Sequence, residues 1–435
     1  MYRNIIKQLT AWKDSTSRKP LILNGARQVG KTYILQHFGT HCYKNVAYIN
    51  LDHNAEADVI FQKDFDMPRI LRALSALTHT HIEPANTLII LDEIQENPDA
   101  LHALKYFCEN APAYHVAVAG SLLGISLHGN TSFPVGKVDM LKMYPMTFSE
   151  FLMAVGETSM ADELFKCDWG VINMLSTRLA DCLRQYYYVG GMPAAVQEYI
   201  TTQNLLAVRN IQKQILFDYR HDFSKHAPTA EVPRINMVWD SIPAQLDKDN
   251  KKFIYGALKK GGRAAEFEMA IQWLIEAGLI YRIYRATTPN KPLKFYEDTS
   301  AFKLFMLDVG LMGAMTDTDS RDILVRDSLL HEYRGAFTEL YALTQLIPFD
   351  LPTYYFSANN SRIEIDFLIQ YDGRVIPTEV KAEENVKAKS LKTYVEKHPF
   401  LRALRCSMKP YVNQGWMENI PLWAIETYFR RTGHN

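Results

Sequence analysis

The sequence predicts an α/β protein whose N-terminal part is a doubly wound parallel sheet. Three observations carry this. A G-x-x-x-x-G-K-T pattern at 25–32 sits between a short apolar strand and a helix. Four branched aliphatics at 88–91 run into two acids, Asp92 and Glu93. Strand-like and helix-like stretches alternate from 21 to 121, the order that builds a sheet covered by helices on both faces.

The first strand is Leu21-Ile22-Leu23-Asn24, and Gly25-Ala26-Arg27-Gln28-Val29-Gly30-Lys31-Thr32 follows it at once. Gly25 and Gly30 allow the backbone angles that turn N–H groups inward toward phosphate oxygens. The helix that begins after Thr32 adds the partial positive charge of its N-terminus. Lys31 supplies a point charge to the β and γ phosphates, and the Thr32 hydroxyl is a Mg²⁺ ligand. The eight residues 25–32 are thus a nucleotide site for ATP. A further strand spans 45–52. The run Thr87-Leu88-Ile89-Ile90-Leu91 has the character of a strand buried on both faces. Asp92, at its C-terminal end, is placed to hold Mg²⁺, and Glu93 to polarise the attacking water. A helix over 98–110 shows Leu101, Leu104 and Cys108 on one face. The strand at 115–121 ends in Ser121, which suits either a γ-phosphate sensor or a hydroxyl capping the next turn.

These motifs and several later ones, Leu-Asp-Glu-Ile-Gln at 91–95, Tyr144-Pro145-Met146-Thr147-Phe148-Ser149-Glu150-Phe151, Gly190-Gly191-Met192-Pro193, Pro377-Thr378-Glu379-Val380-Lys381 and Lys389-Ser390-Leu391, resemble a prokaryotic group of AAA-superfamily ATPases that carry a C-terminal domain of unknown function. The resemblance covers essentially the whole chain. It implies an ATPase core over 1–160 and a helical lid over 161–225. The group often has Gly-Arg before its Tyr-Pro segment, a candidate arginine finger. This chain has Gly136-Lys137, and lysine lacks the planar fork. The resemblance leaves assembly into a closed ring open. Arg220 is either a second nucleotide sensor or an ordinary surface arginine.

Composition bounds the rest. A chain of 435 residues exceeds one ordinary core, so about two to four domains are expected. Hydrophobic residues at 47% and charged ones at 22% suit a globular protein. No apolar run reaches the ~18 residues of a membrane span, and the N-terminus lacks a signal-peptide core. The five cysteines are not spaced as metal ligands and read as reduced, which makes the cytoplasm the expected compartment. The 48 basic and 48 acidic residues balance, which excludes a globally basic nucleic-acid binder. Locally, 381–435 holds ten Lys/Arg against five Asp/Glu, either a solvated face or a patch for an anionic partner.

Between 226 and 322 the pattern suggests a winged helix. A basic helix at 251–259, a turn at Gly261-Gly262 and a helix with Phe267, Ala270, Ile271 and Leu274 on its apolar face precede two strands, 279–285 and 293–297. Such a module contacts DNA or packs on its own neighbours.

The final segment, 323–435, is also α/β. From Arg362 to Gln370 the sequence alternates, with Ile363, Ile365, Phe367 and Ile369 on one face and Glu364 and Asp366 on the other. Asp372-Gly373 signals a two-residue hairpin turn, so 371 opposes 374. Asp366 then faces Glu379, and Glu364 faces Lys381. Two carboxylates so close repel each other, and a shared divalent cation would relieve them. An acid on one strand, Glu-x-Lys on the next and a helix glutamate, Glu339, resemble the restriction-endonuclease-like nucleases. That resemblance implies Asp366 and Glu379 as ligands of a second Mg²⁺ or Mn²⁺, Glu339 completing the shell, and Lys381 orienting water or steadying the phosphorane. The expectation is an ATPase coupled to a nuclease-like, DNA-engaging tail. The alternative is a switch-type ATPase that binds a protein partner through a catalytically inactive tail.

Overall fold

The computed structural model describes residues 1–62, 64–121, 133–247, 251–324, 331–358, 363–382 and 389–431. Arg362, and Glu383, Glu384 and Lys387 of the basic stretch 381–435, lie outside them. The chain divides into two compact units, one of Tyr2–Tyr144 with Glu276–Leu279, the other of Met1, Pro145–Ile275 and Ile280–Asn435.

In the smaller unit β1 (Leu21–Asn24), β2 (Asn45–Asn50), β3 (Thr87–Asp92), β4 (His115–Gly120) and β5 (Asp139–Lys142) form one sheet in the order β2-β3-β4-β1-β5. Every pairing is parallel. The strand β4 therefore stands between β1 and β3, which carry the two motifs. Every residue of β3 and β4 is buried, as a sheet covered on both faces requires. The helix Lys31–Cys42 packs Ile34, Leu35 and Phe38 inward. The helix Pro98–Asn110 starts with the Asn97 side chain capping Ala100 N–H at 2.8 Å and proline in its first turn. It buries Leu101, Leu104 and Phe107, while Cys108, expected on that face, is only half-buried.

The larger unit opens with the helix Phe148–Ala154, which falls within the stretch 1–160 expected as ATPase core, and continues with the expected helical run, Thr158–Lys166, Trp169–Met174, Ser176–Val189, Pro193–Thr202 and Leu205–His226. The Gly190-Gly191-Met192 break falls between Ser176–Val189 and Pro193–Thr202. Its shape is set by a buried carboxylate: Asp308 Oδ2 accepts from Gly191 N–H at 2.6 Å, and a Cβ on Gly190, at φ 73°, would meet Asp308 Oδ1 at 2.3 Å. Burial raises the Asp308 carboxyl to about 6, against the pull of three backbone N–H groups.

The second sheet contains β6 (Ile280–Ala286), β7 (Glu297–Met306), β8 (Thr353–Ser357), β9 (Glu364–Tyr371), β10 (Arg374–Val380), β11 (Ala403–Ser407), β12 (Val412–Asn413) and β13 (Met417–Pro421). Its order is β12-β13-β11-β10-β9-β8-β6-β7. The hairpin β6–β7, expected as the wing of a separate segment, is continuous with the C-terminal strands through the parallel pair Arg285–Tyr355. A shared core joins them, with Ala286 and Leu293 against Leu368, Val375, Leu391 and Tyr394. Two local expectations are corrected. Residues 251–259 are not a helix, holding one 3-10 turn at Tyr255–Ala257, and 293–296 form a 3-10 turn ahead of β7. The glycines at 256, 261 and 262 favour that irregular backbone over a helix. The helix Ala264–Glu276 is as expected, burying Phe267, Ala270, Ile271 and Leu274.

The hairpin β9–β10 has the expected register. Tyr371 opposes Arg374 and Phe367 opposes Thr378, and both turn residues take positive φ, 46° at Asp372 and 67° at Gly373. Leu368 is buried as well as Ile365, Phe367 and Ile369, because the helix Lys389–Lys397 covers the second face.

Candidate functional site

The loop 25–32 lies at the C-terminal end of β1. A Cβ on Gly25 would come within 2.2 Å of Met143 O, so only glycine fits there. Gly30 caps the following helix at φ 95°, in the left-handed region. Lys31 is buried, its Nζ donating to Gly25 O at 2.9 Å and to Ala26 O at 2.8 Å. Burial lowers its pKa to about 8, although Glu93 and Asp92 pull it upward.

Asp92 is the hub of the site. Its Oδ2 accepts from Thr32 Oγ1 at 2.7 Å and from Tyr48 Oη at 3.0 Å, and its Oδ1 accepts from Glu93 N–H at 3.1 Å. The loop hydroxyl and the strand carboxylate read as Mg²⁺ ligands are therefore in direct contact. Mg²⁺ keeps waters and substrate phosphates in its shell and needs few protein oxygens, so this pair of hard donors fits it. Glu93 adopts a left-handed backbone at φ 52°, which turns its side chain out of the strand direction. Its Oε2 accepts from Gln95 Nε2 at 2.5 Å. Ser121 is buried at the end of β4, with its Oγ accepting from Arg27 Nε at 3.2 Å. The serine is thus one hydrogen bond from the phosphate loop. Tyr48 escaped the sequence reading, since only the adjacency of β2 and β3 brings it to Asp92. Lys137 pairs with Glu109 at 2.9 Å. In the larger unit Arg220 pairs with Asp240 at 2.5 Å on the exposed surface.

The larger unit brings Glu339, Asp366, Glu379 and Lys381 together, as expected, but adds two lysines. Lys251 Nζ donates to Glu339 Oε1. Lys303 on β7 is fully buried, with its Nζ 2.8 Å from Glu364 Oε1 and 3.7 Å from Glu339 Oε2. Glu364, expected opposite Lys381, is thus bonded to Lys303, while Lys381 bonds Glu379 at 2.9 Å. Asp366 Oδ2 accepts from Val380 N–H at 2.8 Å. Burial, then the charge of Glu339, pushes the Asp366 carboxyl up to about 7. Burial would also raise Glu339, but Lys251 and Lys303 outweigh it and hold that carboxylate low. Lys303 stays charged because Glu339, Glu364 and Asp366 together exceed its burial penalty.

Three ammonium groups thus face four carboxyls, and with Asp366 protonated the cluster is neutral without a metal ion. The repulsion that a divalent cation was expected to relieve is countered here by Lys251, Lys303 and Lys381. Among the described residues no group of three or more His, Cys, Asp or Glu is arranged to hold a metal. Asp366 and Glu379, expected as ligands of a second Mg²⁺ or Mn²⁺, are held here by Val380 N–H and by Lys381.

Comparison with known proteins agrees with the nucleotide site. Residues 17–152 match a family described as an AAA domain. Residues 180–322 and 334–425 match two domains of unknown function, DUF8612 and DUF4143. No curated protein matches. Among solved structures, the Walker-type ATPase PABY2304 of Pyrococcus abyssi is 12% identical, over 72% of this chain and 94% of its own, with a TM-score of 0.45. The RuvB Holliday junction branch migration motor of Thermotoga maritima is 13% identical over 64% and 88%, with a TM-score of 0.30. The Orc1 protein of Aeropyrum pernix, solved with DNA, is 13% identical over 73% and 91%, with a TM-score of 0.27. The matched segment 17–152 contains the phosphate loop, Asp92, Glu93 and Ser121, so the nucleotide site lies within the part of the chain that is similar to an AAA domain. No helix among the described residues is long and apolar enough to cross a membrane.

Proposed function

We propose that this chain is a Mg²⁺-dependent ATPase in which Thr32 and Asp92 hold the metal, Glu93 acts on the attacking water, and the larger unit engages a partner without cutting nucleic acid. The observation that carries the first part is the 2.7 Å contact between Thr32 Oγ1 and Asp92 Oδ2. Backbone N–H groups of 25–32 and the Lys31 ammonium bind the phosphates. Mg²⁺, when bound, neutralises charge on the β and γ oxygens. Glu93 takes a water proton on its carboxylate, while Gln95 orients that carboxylate. Ser121, tied to Arg27, reports on the γ-phosphate through the loop.

The lysine-neutralised cluster favours a non-cleaving tail. A second reading, in which the tail cleaves DNA with Asp366, Glu379 and Lys381, draws on two buried carboxylate oxygens without a hydrogen-bond donor, Glu339 Oε2 and Glu379 Oε2. Two assays on the full-length protein separate these claims. Phosphate release should require Mg²⁺, stop with chelator and be lost in Asp92→Asn; chelator-resistant release sinks the metal assignment. Linear and supercoiled DNA should survive Mg²⁺ or Mn²⁺ with ATP. Cutting that disappears in Asp366→Ala would establish the second reading instead.

A further inference from the structure

At the turn end of the hairpin β9–β10 the larger unit has a groove of about 630 Å³. Lys291, Arg374 and Arg402 line it, together with Asn290, Phe400 and a single carboxylate, Glu418. All three cations are exposed. Arg374 and Arg402 have no hydrogen-bond or ion-pair partner among the described residues. Lys291 donates only to the carbonyl of Gly373, which neutralises no charge. Glu418 already accepts from Tyr411 Oη at 3.0 Å. The groove's lining therefore sets three cations against one carboxylate. Phe400 also lines it with 67% of its surface exposed, its ring edge-on to His398 at 6.0 Å and its outer face open to a further flat group.

Free guanidinium forks match phosphate oxygens in bidentate geometry, and an exposed phenyl ring offers a stacking platform to any base. We infer that this groove binds a single strand of nucleic acid, with Arg374, Arg402 and Lys291 on successive phosphates and Phe400 under a base. This names the partner of the non-cleaving tail proposed above and rests on that reading only for the absence of cutting. An acidic peptide would use the cations but has no need of the ring. Duplex DNA would hide its bases from Phe400. The groove is also distinct from the acid–lysine cluster: Arg374 and Glu379 are five residues apart on β10, roughly 17 Å at ~3.3 Å per residue. The basic excess of 381–435 gains a use here through Arg402.

The test is fluorescence anisotropy of a labelled 20-nucleotide oligothymidylate with the full-length protein in EDTA, where nothing can be cut and turnover does not enter. Wild type should bind with salt-dependent affinity. Arg374→Gln/Arg402→Gln should weaken binding about tenfold or more and flatten the log–log salt slope by about 1.4, two phosphates' share for a single strand. Phe400→Ala should weaken it roughly 5- to 150-fold, whereas Phe400→Trp should restore it. Arg374→Lys/Arg402→Lys should retain most of the slope. ATP turnover should be unchanged in every variant, and a urea midpoint by tryptophan fluorescence equal to wild type shows that the larger unit of each one folds. No binding by wild type, equal binding by the glutamine variant, or displacement of the oligonucleotide by polyglutamate as readily as by unlabelled strand would each overturn the assignment. Cutting of the strand once Mn²⁺ is added would instead defeat the non-cleaving reading and leave the groove's binding data standing.

Discussion

Replacing Lys303 by methionine, which keeps the length and removes the charge, probes the cluster most severely. Lys303 is fully buried, 2.8 Å from Glu364 Oε1 and 3.7 Å from Glu339 Oε2, with its ammonium 4.8 Å from the centre of the Tyr355 ring. At an effective dielectric of about 20 those two distances correspond to attractions of ~6 and ~4.5 kcal/mol. Against them stands a desolvation cost of several kcal/mol for the buried ammonium. Removing one member of such a network leaves the others charged and unpaired, and the net loss is about 3–5 kcal/mol. The loss should depend on pH with a defined sign. Glu339 is held low in the folded protein, so its stabilising share is present above the ordinary glutamate pKa and fades as pH falls through about 2. Lys303→Met weakens that share, so the gap from wild type should be widest above about pH 4.5 and should narrow below it. Five of the six tryptophans lie in the larger unit, so urea unfolding followed by tryptophan fluorescence reports mainly on it. Lys303→Met/Glu364→Gln should recover at least ~1 kcal/mol relative to the sum of the single changes. A loss below ~1 kcal/mol for Lys303→Met, or a gain at every pH, would refute the claim that lysines neutralise this cluster.

The nucleotide site and the helical break give further tests. Burial lowers Lys31 to about 8 in the free protein, and bound phosphates would favour its charged form. ATP affinity should therefore be flat below about pH 8 and fall by up to about tenfold per unit above it, as binding takes up a proton. Calorimetry in buffers of different ionisation heat should show that uptake near pH 9 and little near pH 7; equal, negligible uptake at both would contradict it. In Gly191→Ala a Cβ would come 2.1 Å from Met146 O, a carbonyl that also accepts from Tyr186 Oη at 2.5 Å. Backbone must move, at a cost of about 2–3 kcal/mol, and the thermal midpoint should fall by several degrees; an unchanged midpoint would show that the break tolerates a side chain.

Local chemistry made some of this architecture readable in the sequence. The phosphate loop is legible because its glycines, lysine and threonine have duties at fixed spacing. The β9–β10 register is legible because Asp372-Gly373 admits positive φ at both turn positions, and a two-residue turn sets every later pair. Lys303 was hidden for the opposite reason. Residues 301–306 are all buried, so β7 shows no alternation that marks one side chain as facing acids 36 and 61 residues away in Glu339 and Glu364. Lys251 reaches Glu339 from irregular backbone, and Tyr48 meets Asp92 only through strand adjacency. The joining of β6 to β8 hangs on a long-range pairing that no local periodicity announces.

Glu93→Gln addresses the ATPase assignment most directly, because it changes one oxygen to nitrogen and leaves the Thr32–Asp92 contact untouched. Measured side by side on the full-length protein, ATP binding should remain within a few-fold of wild type while Mg²⁺-dependent turnover falls by about 10²-fold or more. Turnover that stays within a few-fold of wild type would contradict the role given to Glu93, whatever the phosphate loop binds.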